Sequence, residues 1–396
     1  MARDTFLPFS PPSIGQEEID EVTAALRSDW ITTGPRTKEF ERAFGAYVGA
    51  PGGTSLMLNS CTAGLHVALV ALGVGPGDEV IVPTLTFAAT ANVVEHVGAR
   101  PVLVDVRPDT LCIDPEAVAA AVTPRTKAVI PVHYAGQAAD LDPIFALAER
   151  HGLHVVEDAA HAIPTTYRGR TVGSRGNFAS FSFYATKNLT TAEGGALTGD
   201  PELLEKARVI GLHGMSADGW KRFDKSGSWQ YDIVMPGFKY NMTDLQAALG
   251  LRQLAKLAGF HARRREVAAR YGAAFGSDER FEAPVEADYG TSAWHLYVLR
   301  LAPLPGLERN AFVDELKRRN IGFSVHYKPL HMMSYYREKY GYRPGEFPVA
   351  EDAYRRMLSI PLHPRLTDED VEDVIGTVKE VAAEQLAGRR GHLLVP

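Results

Sequence analysis

Between about Asn59 and Thr198, short runs of β-branched apolar residues alternate with stretches of helical periodicity. This alternation is typical of successive βαβ units around a parallel sheet. The predicted strands are Val80–Val82, Val102–Val104, Ala128–Val132, Val155–Val156 and Ala179–Phe183. Ligands of open α/β sheets bind beyond the carboxyl ends of the strands, so we expect the functional site at that edge.

Helical periods separate these strands. They cover Thr62–Leu72, Ala88–Val97, Pro115–Ala121 and Ile144–Arg150. Between Glu193 and Leu245 the pattern weakens into glycine, aromatic and charged residues, which predicts a long excursion over the site that includes residues 213–232.

A second α/β set follows a helix predicted over Thr243–Phe275. Its predicted elements are strand His295–Leu301, helix Asn310–Arg319, strand Phe323–Tyr327 and helix Asp368–Ala387. We therefore predict an N-terminal arm and large domain over residues 1–258 and a smaller C-terminal domain over residues 259–396.

Composition limits the classes of partner. The chain has 396 residues and a formal net charge of −6 with both signs interspersed, which favours neither a nucleic-acid face nor a polybasic membrane anchor. Two cysteines are too few for a disulfide framework and fit a reducing compartment. The first residues lack a signal-peptide pattern, and no apolar run reaches the ~18 residues of a membrane span. We expect a cytoplasmic protein.

Lys187 stands just beyond a predicted buried strand in the segment SFSFYATKNLTTAEGGAL, and small flexible residues follow it. A solvated loop lysine is the simplest interpretation of this position. The alternative is an imine-forming amine whose pKa is lowered by desolvation and nearby positive charge. Position alone leaves both interpretations open.

Two adjacent carboxylates, Glu157 and Asp158, end an apolar strand in LHVVEDAAHA. Both could be solvated strand-end acids, or one could cap the next helix. Alternatively, Asp158 could pair with a protonated ring nitrogen of a cofactor and keep that ring cationic, which makes it an effective electron sink.

Two further segments are ambiguous when taken singly. In LNSCTAGLHVALVAL, free backbone N–H groups and the Thr62 hydroxyl at a helix start would suit a phosphate, although Ser60 or Thr62 could equally be an ordinary N-cap. In TLTFAAT, the Phe87 ring could stack on a planar cofactor or belong to the core.

The order of these groups along one α/β domain is more informative than any one of them. A phosphate turn, an aromatic residue and a strand-end aspartate are followed by Ser182 and Lys187, five residues apart. In this the chain resembles fold-type I pyridoxal phosphate (PLP) enzymes, and closely the DegT/DnrJ/EryC1/StrS family of sugar aminotransferases. The resemblance runs from WITTGPRTKEFE to SIPLHPRLTDEDVEDVI. It implies a large domain with a mainly parallel seven-stranded sheet and a smaller C-terminal α/β domain.

The resemblance also implies roles for single residues. Lys187 in FSFYATKN matches the lysine that forms the Schiff base with PLP, and Asp158 in VVEDAAHA matches the acid that pairs with the pyridine nitrogen. Phe87 matches the aromatic residue stacked on the ring. The residues that match the phosphate-binding group are Thr62, Ala63, through its backbone, and Ser182.

Asn241 in KYNMTDLQAA matches an asparagine that reaches the phosphate of the other subunit's cofactor, so the resemblance implies a homodimer with shared active sites. Two positions depart from the family pattern. His161 stands where much of the family has a glutamine that contacts the ring hydroxyl, and we expect His161 to bind the cofactor there. In SCTAG, Cys61 replaces part of a glycine-threonine turn and is expected to supply only backbone.

Further segments resemble the substrate-contacting stretches of the family. The residues concerned are Thr32 and Thr33 in WITTG, His213 in LHGMSADGW, Lys239 in FKYN, and His326 and His331 in HYKPLH. The two histidines of HYKPLH could instead lie in a surface loop. A zinc site is not predicted, because no cysteine or carboxylate cluster completes it.

The resemblance implies transfer of an amino group, with L-glutamate as donor, to the keto carbon of a nucleotide-linked deoxysugar or pentose. The segments HG…YD…GFKYNMTDLQAA and VHYKPLH resemble 4-aminotransferases more than 3-aminotransferases, which remain the alternative. Related PLP-dependent sugar dehydratases carry histidine at the lysine position, so Lys187 disfavours that activity. A non-catalytic subunit would have no need to retain the lysine, acid, aromatic and phosphate residues together.

Overall fold

The computed structural model describes residues 3–216 and 231–392. Residues 217–230, in the middle of the excursion predicted between Glu193 and Leu245, therefore lie outside the described residues. Within the described ranges, no helix combines the length and the apolar character that a bilayer span requires.

The large part of the molecule is built on one seven-stranded sheet with the strand order β1-β9-β8-β5-β4-β2-β3. The strands are β1 (Leu56–Leu58), β2 (Glu79–Pro83), β3 (Arg100–Val104), β4 (Thr126–Val129), β5 (His154–Asp158), β8 (Phe178–Ser182) and β9 (Gly195–Thr198). All neighbouring strands from β3 to β8 are parallel, and β9 pairs antiparallel with both β8 and β1. The prediction of a mainly parallel seven-stranded sheet is confirmed.

Helices cover both faces of this sheet. They are α1 (Gln16–Leu26), α2 (Pro35–Val48), α3 (Cys61–Ala71), α4 (Ala89–His96), α5 (Pro115–Ala121), α6 (Leu141–His151) and α7 (Pro201–Gly211). Because both faces are covered, the central strands are buried along their length and rich in apolar residues: all five residues of β2 and of β8 are buried. Nine of the eleven residues of α3 are also buried, as expected for a helix packed between a sheet and other helices.

The C-terminal part has its own small antiparallel sheet of β10 (Phe281–Glu282), β12 (Tyr297–Leu301) and β13 (Met357–Ile360). The helices of this part are α8 (Asp244–Phe275), α9 (Arg309–Arg318), α10 (Ser334–Tyr340), α11 (Pro348–Arg356) and α12 (Asp368–His392). A third small sheet joins β6 (Thr166–Tyr167), β7 (Arg170–Thr171) and β11 (Gly290–Thr291).

Helix α8 connects the two parts. Its N-terminal half contributes Ala247 and Leu257 to a core under the large sheet, whereas its C-terminal half contributes Tyr271 and Phe275 to the core of the small sheet. The predicted domain boundary at residues 258 and 259 lies inside this continuous helix, and the division into two domains stays a prediction.

One predicted strand is wrong. Over Phe323–Tyr327 the backbone makes only an isolated bridge, between Ser324 and Ser359, and the third strand of the small sheet is β13 instead. The segment from 323 to 327 turns toward the large sheet, and the following Leu330 and Tyr336 join the core of the large part. The apolar pattern of this segment thus reflects contact with the other part of the molecule.

Candidate active site

A cavity of about 350 Å³ opens at the carboxyl ends of β5 and β8, where the sequence predicts the site. Its size lies within the range of small-molecule sites. Seven of the predicted site residues line it: Thr62, Phe87, Asp158, His161, Ser182, Lys187 and His326. The fold therefore brings together residues that are up to 264 positions apart in the chain.

Lys187 is half-buried and faces this cavity from the loop that follows β8. Desolvation by the surrounding protein lowers the pKa of Lys187 to about 8, although the negative charge of Asp158 opposes the shift. Two hydrogen bonds hold this loop. The Lys187 N–H donates to the Tyr184 carbonyl within the loop, and the Ser10 hydroxyl of the N-terminal segment donates to the Thr186 carbonyl. Near neutral pH, a larger fraction of this amine is uncharged than for an ordinary lysine, and the uncharged form is the nucleophile.

Asp158, at the end of β5, presents its carboxylate to the same cavity while only 5% of the residue is exposed. One carboxylate oxygen accepts from the Thr90 hydroxyl at 2.8 Å and the other from the Ala160 backbone N–H at 3.1 Å. Burial raises the pKa of Asp158, and these two donors and Lys187 counteract that effect. The carboxylate is thus fixed in orientation and stabilised by a cation close to it.

Glu157 points to the opposite side of β5, as the alternation of side chains along a strand requires. Its carboxylate is almost fully buried and accepts from His133 Nε2 at 2.9 Å and from Asn177 Nδ2 at 2.8 Å. Of the two adjacent acids in the sequence, Asp158 therefore belongs to the cavity and Glu157 to the interior behind it.

The predicted phosphate group lies at the N-terminus of α3. Ser60 is the N-cap, and its hydroxyl accepts from the Ala63 N–H at 3.1 Å, so the ordinary N-cap considered from the sequence is present. The Ala63 N–H is thus already engaged by the Ser60 hydroxyl. The N–H groups of Cys61 and Thr62 have no acceptor within the helix. The positive end of the helix dipole and the Thr62 hydroxyl face the cavity together.

Two glycines allow α3 to approach the sheet this closely. A Cβ on Gly195 of β9 would lie 2.5 Å from the Cys61 nitrogen, and a Cβ on Gly64 would lie 2.2 Å from the Ser180 hydroxyl oxygen. Any larger side chain at these positions would displace the helix terminus. The close packing places Ser182, at the end of β8, next to the start of α3 on the cavity wall.

His161 is buried beneath the cavity, and both of its ring nitrogens have partners. The Ala135 backbone N–H donates to Nδ1 at 3.2 Å, and the Tyr327 hydroxyl lies 3.1 Å from Nε2. Burial lowers the pKa of His161 well below its usual value, and the positive charge of Lys187 acts in the same direction. His161 is therefore a neutral ring at physiological pH.

His326 and Phe87 both line the cavity. His326 Nδ1 lies 2.8 Å from the Ser359 hydroxyl, and burial lowers the pKa of His326 to about 4, so the ring is neutral. Phe87 remains 60% exposed, with its ring centre 5.7 Å from that of Tyr327. An exposed aromatic ring over a cavity is available to stack on a planar ligand.

Besides Ala63 and His331, five predicted residues do not line the cavity of their own chain: Thr32, Thr33, His213, Lys239 and Asn241. Asn241 Nδ2 donates to the Thr33 hydroxyl at 2.7 Å, so these two form one unit. Thr32, His213 and Lys239 are exposed, and Lys239 forms an isolated backbone bridge with Leu212.

The structure does not bring His331 into the cavity. Only 2% of this residue is exposed, and its Nδ1 and Nε2 lie 2.8 Å from the Thr84 hydroxyl and 3.2 Å from the Glu351 carboxylate. Both ring nitrogens of His331 have partners within the protein. The expected contact between His331 and the substrate is therefore wrong, and the residue has a structural role. His331 holds the HYKPLH segment against the end of β2.

Several residues of the cavity were not predicted from the sequence. Tyr327, His295, Phe9, Tyr184 and Glu193 line the cavity, and Thr90 orients Asp158 from behind it. Tyr327 lies within the HYKPLH segment, which was the one available signal. His295 was identified only as the start of a strand, and nothing in the local sequence around Phe9 places it beside residues more than 300 positions away.

Among the described residues, no group of three or more histidine, cysteine, aspartate or glutamate residues could hold a metal ion. The cavity instead combines a nucleophilic amine, a fixed buried carboxylate, an exposed aromatic ring and a helix N-terminus. These groups suit a planar ligand that carries a carbonyl group, a basic ring nitrogen and a phosphate, which are the features of PLP.

Comparisons with known proteins agree with this chemistry. The chain is 51% identical to the spore coat polysaccharide biosynthesis protein SpsC of Bacillus subtilis, over 96% of this chain and 98% of SpsC. The sugar aminotransferase Spr1654 of Streptococcus pneumoniae is 39% identical to this chain. The TM-score is 0.89 for its PLP form and 0.91 for its pyridoxamine phosphate (PMP) form. The matches cover 96–97% of this chain and 99–100% of Spr1654.

A third neighbour, Helicobacter pylori PseC, is an aminotransferase involved in pseudoaminic acid biosynthesis. It is 29% identical with a TM-score of 0.88, and the match covers 96% of this chain and all of PseC. The sequence model of the DegT/DnrJ/EryC1/StrS aminotransferase family matches residues 12–379 of this chain. The chain therefore belongs to this family of PLP-dependent sugar aminotransferases.

Proposed function

We propose that the protein transfers an amino group from L-glutamate to the C4 keto carbon of a nucleotide-linked deoxysugar or pentose, and so forms a nucleotide-linked aminosugar. The observation that carries the proposal is the amine of Lys187, with a pKa of about 8, in the same cavity as the buried carboxylate of Asp158. This pair joins a nucleophile to a counter-charge for a cationic ring.

Each part of the cavity has a partner on PLP. The helix start at Thr62 and the Ser182 hydroxyl would hold the phosphate. The Ala63 N–H, which also donates to the Ser60 hydroxyl, would contribute to the same site. Asp158 would hold the ring nitrogen, and Phe87 would cover one face of the ring. Bound PLP supplies an electron sink for the carbon that loses its proton, and it carries the amino group between the two substrates.

Lys187 has two tasks in this proposal. Its uncharged amine forms the covalent link to the cofactor, and once the amino donor has displaced it, the same amine moves a proton at the substrate carbon. A pKa near the working pH suits both tasks, because the group must give up and take up a proton in each turnover.

The choice of substrate draws on the relatives and on the cavity wall. SpsC is named for spore coat polysaccharide biosynthesis and PseC for pseudoaminic acid biosynthesis, so both names refer to sugars. Around the cavity of this chain, the neutral ring of His326 and the apolar ring of Phe9 lie 5.5 Å apart. A polar and an apolar surface side by side suit the hydroxyl and methyl groups of a deoxysugar.

The test of this function is a half-reaction screen. The protein is first loaded with the amine form of the cofactor and is then mixed with UDP-, dTDP- and GDP-linked 4-keto and 3-keto sugars. The return of the PLP absorbance is followed. We expect turnover with at least one 4-keto substrate, followed by reloading with L-glutamate. Turnover of only 3-keto substrates would contradict the C4 assignment, and reloading only by another amino acid would contradict the donor.

We also propose a homodimer in which each active site uses Asn241 of the other subunit. Asn241 is held by Thr33 away from the cavity of its own chain. Exposed apolar residues lie close to both in sequence: Ile31 is 55% exposed, and Ile233 and Val234 are 51% and 61% exposed. Such a surface favours burial against a second copy.

Shared sites predict that two defective chains can complement each other. Asn241→Asp would place a negative charge beside the partner's bound phosphate, and Lys187→Ala removes the amine. A heterodimer of the two variants, purified with two different tags, contains one site with both native residues. We expect both homodimers to be inactive and the heterodimer to recover about half of wild-type activity, measured per dimer. An inactive heterodimer would place Lys187 and Asn241 in the same site.

A cytoplasmic location completes the proposal. Cys61 and Cys112 are both buried and unpaired. Burial raises the pKa of both thiols, which keeps them protonated and unreactive. Free thiols of this kind are typical of reducing compartments.

A further inference from the structure

The protonation of His161 is fixed by its surroundings. The Ala135 backbone N–H can only donate, so His161 Nδ1 at 3.2 Å must accept with its lone pair. The proton of the neutral ring is therefore on Nε2. Burial and the nearby positive charge of Lys187 lower the pKa of His161, which keeps a second proton off the ring.

This protonation state determines the direction of the next hydrogen bond. Nε2 of His161 lies 3.1 Å from the hydroxyl of Tyr327. Because Nε2–H donates, the Tyr327 oxygen accepts, and its own proton remains for another acceptor. Among the described residues, the Tyr327 hydroxyl makes no other hydrogen bond, and Tyr327 lines the cavity.

His295 supports this arrangement. Asn188 Nδ2 donates to the carbonyls of Ile163 at 3.0 Å and Ala293 at 2.8 Å, so Asn188 Oδ1 must be the acceptor for His295 Nδ1 at 3.1 Å. The His295 ring is thereby fixed, and it packs against His161 with 4.4 Å between the ring centres. His161 is held between this ring and the backbone of Ala135.

We infer that Tyr327 donates a hydrogen bond to the oxygen substituent of the PLP ring, and that His161 is a positioning residue that orients this hydroxyl. The sequence predicts direct contact between His161 and the cofactor, but both nitrogens of His161 are already occupied in the structure. Tyr327 lies beside Phe87, the residue assigned to the face of the ring, with 5.7 Å between the two ring centres. The inference deepens the proposed function and rests on its PLP site.

Other titratable groups around the pair do not replace Tyr327 as donor. Asp158 is engaged by Thr90 and Ala160 and acts on Tyr327 only through its charge. Tyr134 packs 6.5 Å from His161, but its hydroxyl donates to the His326 carbonyl. Burial lowers the pKa of His295 and of His326, so both remain neutral over the pH range of the test.

The test is the pH dependence of the absorbance of PLP bound to Lys187. A donor to the ring oxygen stabilises the deprotonated form of the chromophore, so its removal raises the pH midpoint. We expect Tyr327→Phe to raise the midpoint by about one pH unit, while the exposed Tyr335→Phe leaves it unchanged. An unchanged midpoint in Tyr327→Phe overturns the inference, even if the KM for the sugar substrate rises.

Two variants of His161 test its positioning role. In His161→Gln, the amide carbonyl can accept from Ala135 and the amide NH2 can donate to Tyr327, so the midpoint should stay near that of the wild type. In His161→Leu, the Tyr327 hydroxyl loses its orienting donor, and the midpoint should rise as in Tyr327→Phe. Equal midpoints for the Gln and Leu variants contradict the role of His161.

The absorbance experiment requires only PLP binding. Its failure would therefore leave the sugar assignment standing, whereas failure of the substrate screen would leave the Tyr327 assignment standing.

Discussion

Lys187→Ala is expected to lower turnover by about 10⁴-fold or more, at or beyond the upper end of what one positioned proton-transfer group contributes. The variant loses both the covalent link to PLP and the base that moves the proton. The helix N-terminus at Thr62 and the carboxylate of Asp158 remain, so PLP should still bind non-covalently. The measurements are single-turnover amino transfer and the absorbance of bound PLP, which should resemble that of the free aldehyde.

Lys187→Arg is the matched variant for this test. Arginine keeps the positive charge, but its guanidinium stays protonated and cannot act as the nucleophile. Both variants should therefore be inactive, whereas Lys317→Ala, an exposed lysine on α9, should be fully active. Substantial activity in Lys187→Arg would show that charge, and not covalent chemistry, is what Lys187 contributes.

The sequence predicted the large sheet well because its central strands are buried on both faces and are therefore rich in apolar residues. The predicted strand Val80–Val82 corresponds to the centre of β2, and Val102–Val104 to the end of β3. The strands β1 and β9 were not predicted. Both are short, and β9 is antiparallel to its neighbours and begins at Gly195, whose lack of a side chain weakens the strand pattern.

The C-terminal part was predicted less well for a different reason. The segment Phe323–Tyr327 has the apolar character of a strand, yet it carries His326 and Tyr327 to the cavity instead of pairing in the small sheet. An apolar run records that a segment is buried, but it does not record which neighbour buries it. That neighbour depends on long-range contacts, which a single sequence does not display.

The same limit applies to the site. Groups at strand ends, such as Asp158 and Ser182, could be assigned because the sheet places strand ends together. His331 was assigned from its segment alone, and the structure shows its ring bound to Thr84 and Glu351 in the interior. The direction of a side chain in a loop depends on the element that packs against the loop, so a motif locates the segment but not each of its atoms.

Asp158→Asn should be the second most damaging change. Asparagine has nearly the same shape, and its amide oxygen can still accept from the Ala160 N–H. The Thr90 hydroxyl can reverse its role, because it lies 2.8 Å from the Thr86 hydroxyl, which can donate to it. The carboxylate charge, however, is lost, and a cationic ring nitrogen would no longer be stabilised.

We expect the affinity for PLP to fall by about 10- to 100-fold, as for the loss of one charged hydrogen bond worth roughly 1.5–3 kcal/mol. Turnover should fall further, by about 10²–10³-fold, the range typical of removing one preorganised electrostatic partner. Equilibrium titration with PLP and single-turnover kinetics at saturating PLP separate the two effects. Wild-type turnover at saturating PLP would mean that Asp158 only binds the cofactor.

Glu157→Gln provides the matched control, one residue away on the other face of β5. Glu157 accepts hydrogen bonds from His133 and Asn177 in the interior, and an amide can accept only one of them well. We expect this variant to lower the free energy of unfolding by about 1–3 kcal/mol, while PLP affinity and turnover of the folded protein stay close to wild type. If both variants lost PLP affinity equally, the effect would come from a distorted β5, and the carboxylate of Asp158 would have no separate role.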